Sequence, residues 1–173
     1  GKGMAKDPAK ARALLLRDAE AGNAESQIAL GGNLFSGSFG KAEDAEGRKW
    51  LEKAVAAGST DAMNQYGLWL HNHGNGEADR TRAVQLSRQA ADKEGDAGSL
   101  NNTAWMLCTS KFEDVRKPAD GMAYARKLEA MPDIGPGALD TLAACYAAAG
   151  EYPRAVELQQ RVLDDMRKLP DAD

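Results

Sequence analysis

The stretch Gly47-Arg-Lys-Trp50-Leu-Glu-Lys-Ala54-Val-Ala-Ala-Gly58 decides the reading of this chain, because it recurs. It aligns without gaps with Ala11-Arg-Ala-Leu14-Leu-Leu-Arg-Asp18-Ala-Glu-Ala-Gly22 and with Ala83-Val-Gln-Leu86-Ser-Arg-Gln-Ala90. Ala11, Gly47 and Ala83 stand 36 residues apart, as do Leu14, Trp50 and Leu86. Leu30 with Tyr66, Gly31 with Gly67, and Leu34 with Leu70 keep the same interval. A fixed period of this length is the signature of a repeat array, in which each unit leans on its neighbours. One inserted residue near Glu94-Gly95 carries the register on to Ala104.

Within the stretch the spacing is helical. Gly47, Trp50, Ala54 and Gly58 fall at i, i+3, i+7 and i+11, which is one face of a helix with small and large residues mixed. Small residues let two backbones approach, and Trp50 or Leu86 fills the space alongside. Gly22 and Gly58 follow alanine-rich runs, where a left-handed residue ends a helix. Gly37, Gly40, Gly74 and Gly76 mark the turn inside each unit, where positive φ is tolerated. Each unit is thus a helix-turn-helix that buries its apolar face only against the next unit. The expected helices are 9–21, 24–36, 44–57, 60–72, 79–93, 98–110, 119–130, 136–149 and 153–167.

Composition agrees. The chain has 173 residues with 32 alanines against 12 valines, isoleucines and threonines together, a balance that favours helix over strand. Its 26 acidic and 22 basic residues leave a net charge of −4, without the clustered Lys and Arg that nucleic-acid binding demands. The longest apolar run, Leu142 to Ala149, is far short of a bilayer span, so no direct membrane insertion is expected. No N-terminal apolar stretch has the form of a signal peptide.

The residues Ala24-Glu-Ser-Gln27-Ile-Ala-Leu30-Gly31, a glycine-containing turn, then Trp50-Leu-Glu-Lys53-Ala54 and Gly58 resemble the Sel-like repeat (SLR), a variant of the tetratricopeptide repeat (TPR). A second, looser copy runs through Ala62, Tyr66-Gly67, Arg82-Ala83-Val84, Leu86 and Ala90-Ala91. Residues 9–22 look like the second helix of a unit whose first helix is missing, either a cap or a cut through a longer array. The C-terminal half resembles TPR proper. Leu139, Leu142-Ala143, Tyr146, Gly150, Tyr152 and Ala155 stand in the family's order, although Gln159 replaces a large apolar residue. The resemblance implies an all-α fold, a right-handed α/α superhelical solenoid of antiparallel helix pairs. It would form one continuous domain over 1–173, with the lone helix at 9–22, two SLR-like units at 23–95 and two TPR-like units at 96–169.

In such folds the concave groove is lined by the first helix of each pair, at positions six and three before and one, four and five after the small contact residue. Carried onto Gly31, Gly67, Ala104 and Ala143, this register implies a partner-binding set of Glu25, Ile28, Phe35, Asp61, Asn64, Leu68, Asn72, Asn101, Trp105 and Asp140. His71, Cys108, Ala144, Ala147 and Ala148 share the same stripe. An asparagine amide both donates and accepts, and aromatic anchors commonly dominate interfaces. Two plainer roles stand beside this one: Trp105 packed between adjacent first helices, and Asn101 bonded to its neighbour helix. The stripe has no Lys or Arg, which speaks against clamping a terminal carboxylate.

Signs of chemistry are sparse. His71-x-His73 falls near a helix end, where side chains two apart diverge, so two solvated turn histidines are expected and no metal site. The glycines of 31–40 recur with the repeat and lack a preceding strand, so they are no phosphate loop. The acidic residues show no convergent pair. Cys108 and Cys145 lie about one repeat apart. They are either two buried thiols acting as small hydrophobes, or a disulfide formed in an oxidising compartment if two helices packed at about 8–10 Å bring their Cα atoms within about 7 Å.

The expectation is a non-enzymatic scaffold or adaptor without cofactor that binds a protein or peptide segment in its groove. The alternative is a structural spacer, or a module that self-associates through its open N-terminal end. The resemblance implies adaptor work, in bacteria in the cell envelope or around secretion, but the residues carry no address and leave envelope and cytoplasm both open.

Overall fold

In the computed structural model, residues 7–167 are described; the outer limits of the expected domain, 1–6 and 168–173, lie outside them. Among the described residues the chain forms nine helices and no strand. They are α1 (Pro8–Glu20), α2 (Ala24–Ser36), α3 (Asp44–Ala56), α4 (Thr60–His73), α5 (Gly76–Lys93), α6 (Ala97–Thr109), α7 (Pro118–Glu129), α8 (Pro136–Ala148) and α9 (Tyr152–Arg167). Helix starts are written locally. The Asp7 side chain accepts from Lys10 N, Asn23 Oδ1 from Ser26 N at 2.8 Å, and Asp96 from Gly98 N and Ser99 N at 2.9 and 3.1 Å. Pro8, Pro118 and Pro136 occupy first-turn positions that need no N–H donor. The turn glycines Gly37, Gly40 and Gly76 take positive φ, but Gly74 does not. At Gly74 the need is space instead, since a Cβ there would stand 2.7 Å from Asp79 Cβ. The chain divides within α4 into two compact units, 1–66 and 67–173.

In the first unit α2 packs on α1 and α3. Its core joins Ala19, Leu30, Leu34 and Trp50, with Leu15, Leu16 and Phe39 against it. The helix pair α2–α3 is set by glycine meeting glycine. A Cβ on Gly31 would lie 2.8 Å from Leu51 Cγ and 3.1 Å from the Gly47 carbonyl oxygen. A Cβ on Gly47 would lie 2.7 Å from the Phe35 ring and 3.1 Å from the Gly31 oxygen.

The second unit repeats the device. Gly67 approaches the Ala83 carbonyl, and a Cβ on Gly121 would meet Cys108 Sγ at 2.5 Å and Cys108 N at 3.2 Å. The core runs through Leu100, Ala104, Leu107, Tyr124, Leu128, Leu142 and Leu158. The longer turn between α6 and α7 is packed. Val115 is buried, Lys117 N donates to Leu107 O at 2.8 Å, and the Arg80 guanidinium lies 4.7 Å from the Phe112 ring centre while pairing with Asp114 at 2.8 Å.

Cys108 of α6 and Cys145 of α8 form a disulfide, both buried, with Cα atoms 5.1 Å apart. The separation of helix axes overstates the gap between these residues. Each Cα stands about 2.3 Å off its own axis, so residues on facing sides come within bonding reach.

Two outcomes follow from this packing. Gly31→Val is expected to cost about 1–3 kcal/mol in urea unfolding through overpacking, whereas Gly32→Ala, with nothing near its Cβ, gains up to about 1 kcal/mol from helix propensity. Reducing the disulfide, which spans 37 residues, removes about 4 kcal/mol by the chain-entropy relation; equal midpoints with and without reductant would refute it.

Candidate functional site

Two of the expected groove residues come together in the second unit. Trp105, one residue past Ala104 on α6, and Asp140 on α8 line a cleft of about 460 Å³. Its floor is Ala143, Ala144 and Ala147 of α8, and its far wall is Tyr152, Val156, Gln159 and Leu163 of α9. Trp105 is 39% exposed, so its indole faces the cleft and is not closed off between first helices. Gln159 Nε2 donates to Asp140 Oδ1 at 2.5 Å. The residue that breaks the apolar pattern of α9 therefore supplies the partner of the one carboxylate in the cleft.

The α9 wall is the part that the groove register misses, because it counts only first helices. The signal was present in sequence: Tyr152, Val156 and Leu163 share a face distinct from the buried Ala155 and Leu158.

The other expected residues lie elsewhere. In the second unit Asn72 is exposed and Leu68 half-buried. Asn101 is half-buried, and its Oδ1 is buried without a hydrogen-bond partner. His71, in the same stripe, also has a buried and unpartnered Nδ1. Burial first, and the Lys111 ammonium next, push its pKa below the ordinary histidine value. His71 and His73 are both helical and not in a turn, and His73 stacks on Trp69 with ring centres 5.6 Å apart.

In the first unit Glu25 and Asp61 are exposed and Asn64 is half-buried. Phe35 is half-buried against Gly47 and stacks on Tyr66 at 6.5 Å, so it packs the helix pair instead of standing free as an anchor. Ile28 is a clear correction: it is 8% exposed and belongs to the core. An isoleucine side chain gains about 2 kcal/mol on burial, and this position provides it.

Ionic contacts lie outside the cleft. Arg12 forks onto Glu43 and Glu46 at 2.7–2.8 Å and, through its hydrogen bond, holds the Glu43 carboxyl below its usual range. At Glu129 burial acts to raise the carboxyl pKa, but bonds from Arg154 and Tyr146 outweigh it and hold it low. Among the described residues no three or more His, Cys, Asp or Glu gather to hold a metal, and no helix is long and apolar enough to cross a membrane.

Antiparallel helix pairs at a 36-residue period, joined by small-residue contacts, define an α-helical repeat protein of the α-solenoid class. Comparison with known families narrows this. The Sel1 repeat matches residues 1–23, 24–59 and 60–94, and the chain belongs to that family. The first match holds one helix where the next two each hold a pair. Among solved structures, a Sel1 repeat protein from Oxalobacter formigenes is similar over 92% of this chain, at 20% identity and a TM-score of 0.69, which shows the same fold. The chain spans 65% of that protein's length. No curated protein matches it. Sel1 repeats in general serve protein–protein interaction.

His71 yields a pH prediction. The unfolded chain titrates near 6.5 and the folded state below it, so as pH falls protons bind the unfolded state first. The contribution of neutral His71 is complete above about pH 6.5 and shrinks below it. His71→Gln is expected to lessen the fall in urea midpoint between about pH 7.5 and about pH 5.5. An identical fall in both proteins would remove His71 as its source.

Proposed function

We propose that this chain is a non-enzymatic adaptor that holds a segment of another protein in the cleft between α6, α8 and α9, with Trp105 and Asp140 at the centre of the contact. The observation that carries the reading is the exposed Trp105 indole over an alanine floor, beside a carboxylate and an amide. An aromatic anchor in a shaped apolar cleft with a few fixed polar groups is the usual make-up of an interaction hot spot. The mechanism is shape and hydrogen-bond complementarity without a chemical step. The buried disulfide fits work in an oxidising compartment such as the cell envelope.

Self-association through the N-terminal end is the second reading, and one observation favours it. Trp50, Leu86, Tyr124 and Leu158 fill one register position and are all buried, yet Leu14 at that same position is 46% exposed.

Capture from cell extract compares wild type with Asn101→Ala/Trp105→Ala at matched helicity by circular dichroism. A guest held by wild type is expected to weaken about 30-fold or more in the variant. Equal capture by both removes the cleft from the function.

A further inference from the structure

We propose that Asn75-Gly76, in the turn between α4 and α5, is a site of spontaneous backbone modification. The Asn75 side chain closes on the Gly76 nitrogen and reopens as aspartate or isoaspartate. The inference is independent of the cleft, since no residue lining the cleft lies on α4 or α5.

The chain has seven asparagines, and Asn75 alone precedes a glycine. Asn33, Asn64, Asn72, Asn101 and Asn102 lie within α2, α4 and α6, where helical φ and ψ hold the backbone. Asn23 and Asn75 stand outside the helices, and each immediately precedes one. They differ in what holds the side chain. Asn23 Oδ1 accepts from Ser26 N at 2.8 Å, whereas the Asn75 side chain makes no capping bond. At α5 a later residue reaches back instead, Asp79 Oδ2 accepting from Asn75 N at 2.7 Å. The Asn75 amide is thus exposed and unclaimed by the helix that follows it.

The next residue suits the chemistry. Ring closure brings asparagine Cγ onto the following backbone nitrogen, and a side chain on that following residue crowds the approach. Glycine has none. Gly76 takes φ +80°, and a Cβ there would meet nothing within 4 Å, so the space about its nitrogen is open. As the first residue of α5 it also has no intrahelical acceptor for its N–H. Turning Asn75 about ψ, which stands at 127°, carries that nitrogen to Cγ.

The steps balance with water as the only co-reactant. Base removes the Gly76 N–H proton, the nitrogen bonds to Asn75 Cγ, and the Cγ–Nδ2 bond breaks. The Nδ2 group leaves as ammonia, taking up a proton in exchange, and a succinimide remains. Water then adds to one of its two carbonyl carbons. Breaking the new N–Cγ bond leaves aspartate; breaking the original peptide C–N bond leaves isoaspartate. Nothing is oxidised or reduced. Either product adds one negative charge to a chain whose net charge is −4, next to Glu77 and Asp79 in the first turn of α5. Isoaspartate also lengthens the main chain by one carbon where α4 turns into α5.

Ageing of the full chain at physiological temperature, in buffers from mildly acidic to mildly alkaline, tests this. Trypsin cleavage after Lys53 and Arg80 gives one peptide containing Asn64, Asn72 and Asn75, so two helical asparagines serve as internal controls. Mass spectrometry with fragmentation is expected to find Asn75 converted at least about tenfold faster than either control. The rate is expected to rise with pH, because the attacking nitrogen must lose its proton, and both products are expected to appear. Gly76→Ala, at matched circular dichroism, is expected to slow conversion at least about tenfold. Conversion of Asn75 no faster than that of Asn64 and Asn72 overturns the proposal, as does aspartate without isoaspartate. An unchanged rate in folded Gly76→Ala also overturns it. The first two comparisons need only wild type, so they decide the matter even if φ +80° keeps the alanine variant from folding.

Discussion

Two helices approach only as closely as the atoms between them allow, and in this protein glycine at the contact takes a Cβ out of the space between them. At Gly31 and Gly47 each carbonyl oxygen stands 3.1 Å from where the other residue's Cβ would be. Gly67 against the Ala83 carbonyl repeats the contact, and Gly121 lies against the backbone of Cys108. Because the pair is so close, the residue three positions further along the second helix is carried into the interior. Trp50, Leu86, Tyr124 and Leu158 all occupy that place. The large residue fills the space beside the small one, so each hairpin is close-packed without a long run of bulky side chains. An alanine-rich sequence with few aromatics builds a core in this way.

Stacking one hairpin on the next uses different means. In the second unit, α6 and α8 are joined by a buried disulfide, and the Gly121 backbone lies against the same Cys108. Trp105 stands three residues before Cys108, and Asp140 five before Cys145. The two side chains that face the cleft from α6 and α8 thus project from helices that are covalently fixed to each other. A binding surface on rigid elements loses little order when it is occupied. Ion pairs such as Arg12 with Glu43 and Arg154 with Glu129 fasten the outer surface and leave the cleft nearly uncharged.

Which positions stay open depends on what packs over each helix. In the second unit α7 packs against both α6 and α8. Among the described residues the large apolar side chains that remain exposed are Leu14 of α1, Trp105 of α6, and Tyr152, Val156, Leu163 and Met166 of α9.

The helices, their boundaries to within three residues, and the small-residue contacts were legible in sequence, since propensity, caps and a 36-residue period are local or strictly repeated properties. The groove register was legible only as a list of positions. Whether a position faces solvent depends on the neighbouring hairpin, which is why Ile28 is buried, Phe35 packs against Gly47, and Trp105 stays open. The cleft itself joins α6 to α9 across 50 residues, and the partnership of Asp140 with Gln159 has no sequence signature. The disulfide belongs with these. Sequence placed Cys108 and Cys145 one repeat apart, but only the facing of two helix surfaces, a matter of rotation about each axis, brought their Cα atoms to 5.1 Å. Periodicity fixes which residues share a face of one helix; the angle at which faces meet is set by packing among residues far apart in the chain.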